Sequence, residues 1–162
     1  MNIRPAKLED ASAILEINND AVLHTTAVYS YDPVTLENRI EWLEGKARDG
    51  WPVFVAEDSG RVIGFSSYGL FRAWPAYLHT VENSVYVHPD HRGRGVGKLL
   101  ISPLLEAARA QQMHAFIAGI DAENRSSQRL HQHFGFEQVA HFRKVGFKFG
   151  RWLDLTFWQV LL

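Results

Sequence analysis

This chain of 162 residues contains no cysteine. That excludes disulfides, a thiolate nucleophile and any zinc site built on thiolates. Excess charge of one sign is missing too: 17 basic side chains face 18 acidic ones, for a formal net charge of −1. Nothing global therefore draws the chain to nucleic acid or to an anionic membrane. No apolar run reaches the ~18 residues of a membrane span. The opening "MNIRPAKLED" lacks the apolar segment of a secretory leader. The expectation is a cytoplasmic protein with neither nucleic acid nor membrane as partner. Repeats, low-complexity tracts and Pro- or Ser-rich linkers are absent as well, so a single domain over residues 1–162 is expected.

What is present is a globular composition, 46% hydrophobic and 22% charged, enough for one core. Asn2 to Arg4 reads as a short strand. Ala11, Ile14, Leu15, Ile17 and Ala21 place one apolar face on a helix from Leu8 to Val22. Thr35 is positioned to cap a second helix that Gly50 ends, with Leu36, Ile40, Leu43 and Ala47 on its apolar stripe. The intervening "HTTAVYSYDP" is polar, aromatic and irregular, as binding loops are. "PVFVAEDSGRVIGFSSYG" reads as a hairpin turning at Asp58-Ser59-Gly60, and Glu82 to Val87 as a further strand. A helix from Val96 to Gln112 should kink at Pro103, which cannot donate to the preceding turn. A strand from Ala115 to Ile120, a helix from Ser126 to Phe134 and a final pair of strands complete an α/β domain with a mixed sheet.

The stretch "VYVHPDHRGRGVGKLL" places Gly93, Gly95 and Gly97 at alternate positions between an apolar strand and an apolar helix. It is not a dinucleotide fingerprint, because Lys98 occupies the place of the third glycine. It is not a Walker A loop either, because Leu99 replaces the hydroxyl residue after Gly97-Lys98. What remains is a strand, a glycine-rich turn and a helix start, whose free N–H groups and positive dipole end make an anion site. The glycines would let a pyrophosphate approach the backbone, and Arg92 and Arg94 would add charge. The alternative is a mobile turn before a helix.

Val87-x-Pro89-x-x-Arg92-Gly93-x-Gly95-Val96-Gly97 resembles motif A of the GNAT acetyltransferases. Asn124-x-x-Ser127-x-x-Leu130-His131-x-x-x-Gly135-Phe136 is similar to their second motif. "TVENSVYVHPDHRGRGVG", "WPVFVAE" and the terminal "VGFKFGRWLDLTFWQ" resemble the phosphinothricin/methionine sulfoximine branch of that superfamily. The resemblance implies the GNAT acyl-CoA N-acyltransferase fold, a mixed, mostly antiparallel central sheet flanked by helices. It also implies acetyl-CoA as cofactor and acetylation of a small amino acid.

Roles follow from the same resemblance. Backbone N–H groups from Gly93 to Lys98, including Arg94, Gly95, Val96 and Gly97, would hold the pyrophosphate beside Arg92. Val85, Tyr86 and Val87 would line the pantetheine arm where their strand splays from its neighbour, with Asn124 and His133 on the other side. Asn124 could equally be a helix cap. Glu82 would be the general base, its pKa raised in a narrow cleft, or else an exposed strand-end carboxylate. An imidazole at His131 could protonate the departing thiolate or pack near the cofactor. Arg72 carries the fork that matches a substrate carboxylate, and with Ala73 and Trp74 would form the substrate wall that Asn83 and Ser84 complete. Trp74 could instead belong to a subunit interface. The branch also implies a homodimer, with Lys148 and Trp152 facing the neighbour's cleft.

Eight histidines raise the question of a metal, but His131 and His133 lie two apart on a helix and diverge. No metal site is expected. Two other functions compete: acetylation of a protein N-terminus or another small amine, and nucleic-acid binding by the cation–aromatic run "HFRKVGFKFGRWLDLTFWQ". Alternation in that run reads equally as a strand with one buried face.

Overall fold

Ser59 and Gly60 both hold positive φ, the geometry that closes a two-residue hairpin between β-rich runs. They join β2 (Val53–Asp58) to β3 (Arg61–Leu70) in a computed structural model that describes all of residues 1–162. The remaining strands are β1 (Asn2–Pro5), β4 (Thr80–Val87), β5 (Ala115–Asp121), β6 (Glu137–Lys148) and β7 (Arg151–Leu161). The helices are α1 (Ala11–His24), α2 (Leu36–Asp49), α3 (Val96–Ala110) and α4 (Arg125–His133). One sheet runs in the order β1-β2-β3-β4-β5-β7-β6, antiparallel throughout except between β4 and β5. This is the mixed, mostly antiparallel architecture that the motifs imply.

Strand alternation divides the core between the two faces of the sheet. Val55 and Phe65 pack beneath Ile14 and Ile17 of α1 and Leu43 of α2. On the opposite face Tyr68, Val81, Phe116 and Trp158 meet Ile101, Leu104 and Leu105 of α3. Thr35 caps α2, its hydroxyl accepting from Asn38 N, and Gly50 ends it in the left-handed conformation. Leu36 and Ala47 of the expected stripe are nonetheless exposed, because α2 touches the core only through its middle, at Ile40, Trp42 and Leu43. The expected kink does not break α3, which continues through Pro103. Ile101, Leu104 and Leu105, all buried, anchor the turns on both sides of the proline.

The feature that positions the site is an incomplete strand pair. β4 and β5 pair only from Thr80–Ala115 to Glu82–Ile117, whereas β4 stays paired to β3 up to Val87 and β5 to β7 up to Asp121. Beyond Glu82 the two strands diverge. His88 N donates to Ile63 O, on the β3 side. By alternation the N–H groups of Asn83, Val85 and Val87 point the other way, into the gap.

A loop from Thr25 to Thr35 closes one wall of this gap and is held from the far hairpin. The Tyr29 hydroxyl lies 2.9 Å from both Asp121 Oδ2 and the Asp154 carbonyl. Lys148, buried, donates from Nζ to the carbonyls of Val22, Thr25 and Val28 at 2.5, 2.7 and 2.7 Å. Its ammonium has no carboxylate partner and sits at the carbonyl end of α1, where the helix dipole is negative. Lys148 therefore does not face a neighbouring subunit as expected. It alternates with the exposed Phe147 and Phe149 and points inward, whereas Trp152 is 62% exposed.

Replacing Lys148 by Met would leave three carbonyls without their donor. Denaturant unfolding of Lys148→Met should show a loss of about 2–4 kcal/mol. A loss below about 0.5 kcal/mol would mean that water takes over the ammonium's role.

Candidate active site

The gap between β4 and β5 opens into a cleft of about 920 Å³. Its walls are Asn83–Val87 of β4, Gly119–Asp121 of β5, the glycine loop, one side of α4 and Thr25–Ala27. Gly93 and Gly95 hold φ of 76° and 81°, and a Cβ on either would meet nothing within 4 Å. The loop thus presents bare backbone to open space. None of residues 93–97 donates its N–H to a backbone carbonyl; the first donors in use are Lys98 and Leu99, both to Gly95 O. The free amides are therefore those of 93–97, and the Lys98 amide does not belong with them. At Gly97 a Cβ would come 2.8 Å from Leu130 Cδ2, so this glycine allows α3 and α4 to pack closely at the cleft.

The two arginines of the loop do not supply charge in the expected way. Arg92 lines the cleft, but its Nη2 lies 2.6 Å from Asp20 Oδ2 and its Nε donates to Val87 O at 3.1 Å. It braces the loop against α1 and the end of β4. Arg94 is exposed and does not line the cleft, whereas Lys98 does. A cradle of unpaired amides at a helix start, open above and edged by Lys98, suits a pyrophosphate.

Glu82 occupies the last position of β4 that pairs with β5. It is half-buried, with no hydrogen bond or ion pair, and a Cβ on Gly119 would lie 2.9 Å from its Oε1. Burial pushes its carboxyl above the usual range, and the nearby Arg72 charge opposes that shift. Arg72 itself stacks on Phe71, 4.9 Å from the ring centre. Ala73 and Trp74 do not join it: both are exposed and Trp74 projects into solvent. Of the expected Arg72-Ala73-Trp74 segment, Arg72 alone is close enough to act on the Glu82 charge.

Alternation sends Glu82, Ser84 and Tyr86 to the α1/α2 face and Asn83, Val85 and Val87 to the other. Asn83 meets His131 there, Nδ2 to Nε2, at 3.1 Å. His131 Nδ1 lies 2.8 Å from Ser127 O, so it donates there and leaves Nε2 as the acceptor for Asn83. His131 is buried, and burial lowers its pKa. A neutral imidazole in this tautomer holds Asn83 in place and carries no proton at Nε2 to give a thiolate, which departs from the general-acid expectation. Asn124 caps α4, its Oδ1 accepting from Ser127 N at 3.1 Å, and it also lines the cleft, as does His133.

The irregular loop had been singled out as a whole, but Thr25, Thr26 and Ala27 on the wall and the Tyr29–Asp121 contact were not read from sequence. Their only sequence signal is the aromatic and hydroxyl content of "HTTAVYSYDP".

The profile described as the acetyltransferase (GNAT) domain matches residues 3–157, and the chain belongs to this family of acetyl-CoA-dependent N-acetyltransferases. L-amino acid N-acyltransferase MnaT of Escherichia coli (strain K12) is 48% identical over 162 residues, covering 100% of this chain and 94% of that protein. An L-methionine sulfoximine/L-methionine sulfone acetyltransferase of Salmonella typhimurium is 47% identical, over 100% of this chain and 95% of its own. A GNAT superfamily phosphinothricin acetyltransferase from Sinorhizobium meliloti, solved in complex with acetyl-CoA, superposes with a TM-score of 0.96 at 36% identity. That alignment covers 99% of this chain and 88% of the other.

Folding lowers the His131 pKa below its free value of 6.5, so the unfolded chain binds the extra proton more readily. This contribution to stability is complete above pH 6.5 and is lost as pH falls below it. Denaturant unfolding at pH 7.5 and 5.5 should therefore show a steeper acid loss for wild type than for His131→Gln. Equal losses in the two proteins would mean that His131 is not held neutral.

Proposed function

We propose that this chain acetylates the α-amine of a small amino acid with a tetrahedral, oxygen-bearing side-chain end: methionine sulfoximine, methionine sulfone or phosphinothricin. The relatives named for those substrates support the choice of acceptor. The observation that carries the mechanism is the half-buried Glu82 carboxylate, unpartnered at the point where β4 leaves β5.

Acetyl-CoA supplies the acetyl group as a thioester. The amides of residues 93–97 hold its pyrophosphate, and Val85, Tyr86, Val87, Asn124 and His133 line its arm. The N–H of Val85 or Val87, aimed into the gap, polarises the thioester carbonyl. Arg72 orients the substrate carboxylate, with Ser84 on the same face and Asn83 held by His131 on the other. Glu82 takes a proton from the ammonium, because only the free amine is a nucleophile. The nitrogen–carbon bond forms and the carbon–sulfur bond breaks; of the nitrogen's two departing protons, the first leaves through Glu82 to solvent and the second, shed as the amide forms, ends on the coenzyme thiolate.

The reading extends to a single cytoplasmic domain that pairs with a second copy. β6 is the sheet's edge strand and exposes Val139, Phe142, Val145 and Phe147, with Phe149 and Trp152 beyond it. An edge of this length and apolarity needs a cover.

Thiol release with acetyl-CoA should be seen with methionine sulfoximine or sulfone and not with polyamines. Glu82→Gln should lower kcat/KM by about 10²–10⁴-fold. It should also abolish the fall in activity that wild type shows as pH drops through the raised carboxyl pKa. Full turnover by Glu82→Gln at every pH would remove Glu82 as the base. Sedimentation should give twice the chain mass, and Trp152→Glu should shift it to the monomer; a monomeric wild type would refute the pairing.

A further inference from the structure

We infer that Arg39 recognises the substrate: it binds the oxygens at the far end of the amino-acid side chain, leaving the carboxylate to Arg72. The inference rests on the acceptor class proposed above and adds the residue that selects within it.

Arg39 lies in the first turns of α2 and is half-buried. Its Nε and Nη2 lie 3.2 and 2.9 Å from Oδ1 of the adjacent Asn38, and its Nη1 reaches Asn18 Oδ1 at 3.5 Å. The guanidinium stacks on Trp42, 4.8 Å from the ring centre, which fixes its plane. No carboxylate comes within ion-pair distance. Arg48, Arg61, Arg92 and Arg151 each have one, and Arg4 has two. Burial without an anion is costly for a cation, and burial lowers the Arg39 pKa accordingly. Such a group is suited to an incoming oxygen ligand.

Its position supports that use. Trp42, on which Arg39 stacks, meets Phe65 edge-on at 6.0 Å, and Phe65 lies 5.3 Å from the ring of Tyr86, which is on the Glu82 face of β4 with Ser84 between them. Glu82, Ser84 and Tyr86 share one face of β4, so a side chain laid along that face leads from Glu82 towards Tyr86. With the α-amine at Glu82 and the carboxylate at Arg72, the extended side chain runs past Ser84 towards Tyr86 and Arg39. A sulfone, sulfoximine or phosphinate ends in two polar atoms on a tetrahedral centre. The planar guanidinium fork matches that pair as it matches a carboxylate.

Steady-state kinetics on Arg39→Met and Arg39→Lys test this against Arg72→Ala, with methionine sulfone and its methyl ester as acceptors. Arg39→Met should raise the KM of the sulfone about tenfold or more while kcat falls less than about threefold. The KM of acetyl-CoA should stay within about twofold, which also reports that the protein is folded. Arg39→Lys should recover part of the loss. The ester, which has no carboxylate, should show the same wild-type-to-Arg39→Met ratio, whereas the effect of Arg72→Ala should vanish with it. A ratio that disappears with the ester would assign Arg39 to the carboxylate and overturn the inference. An unchanged KM in a folded Arg39→Met protein would overturn it too. Wild type that acetylates the sulfone while Arg39→Met matches it refutes only this inference. Wild type that leaves sulfone and sulfoximine untouched refutes the acceptor class, and the inference with it.

Discussion

The rest of the structure depends on a parallel strand pair that stops early. Parallel pairing is slightly weaker per residue than antiparallel pairing, and between β4 and β5 it lasts only from Thr80 to Glu82. Both strands are fully engaged on their outer sides, by β3 and β7, so neither can turn to close the gap. The backbone donors facing it have no internal partner, and donors of that kind are satisfied by water or by a ligand. An extended chain of amides and methylenes, such as a pantetheine arm, answers both requirements. Glu82 sits at the closed end of that gap.

The surrounding contacts keep that gap open and shaped. Lys148 and Tyr29 tie the Thr25–Thr35 loop to the β6–β7 hairpin, so a wall of the cleft is set by residues more than a hundred positions away in sequence. His131 fixes Asn83 from α4, and Arg92 fixes the glycine loop from α1. Charges that look catalytic in the sequence are thus spent on bracing. The groups left without an acceptor or a counter-charge in contact are the loop amides, Glu82, Arg72 and Arg39. This division fits a reaction in which positioning and a single proton transfer matter more than a dense array of charges.

Local order was legible wherever a local rule decides it. Thr35 and Gly50 delimit α2 because a cap hydroxyl and a left-handed glycine act within a few residues of chain. Ser59-Gly60 makes its turn for the same reason. The glycine-rich turn into α3 and the Asn124 cap of α4 could be read because each is decided by residues within a few positions of one another. Facts that depend on the fold as a whole were not legible. Lys148 points inward because α1 happens to end beneath it, and Arg92 is occupied because Asp20 lies across the loop. Trp74 is in solvent although it lies two residues from Arg72, whose charge acts on Glu82. Arg39 carries no motif, and only the sheet's alternation relates it to Glu82.

Residue-resolved amide hydrogen exchange, with and without coenzyme A, tests the central claim most directly. The account requires Val85, Val87 and Gly93–Gly97 to exchange at least about tenfold more slowly when coenzyme is bound, with Val139–Phe147 of the outer strand unaffected. Unchanged exchange at those amides, with protection appearing elsewhere, would contradict it.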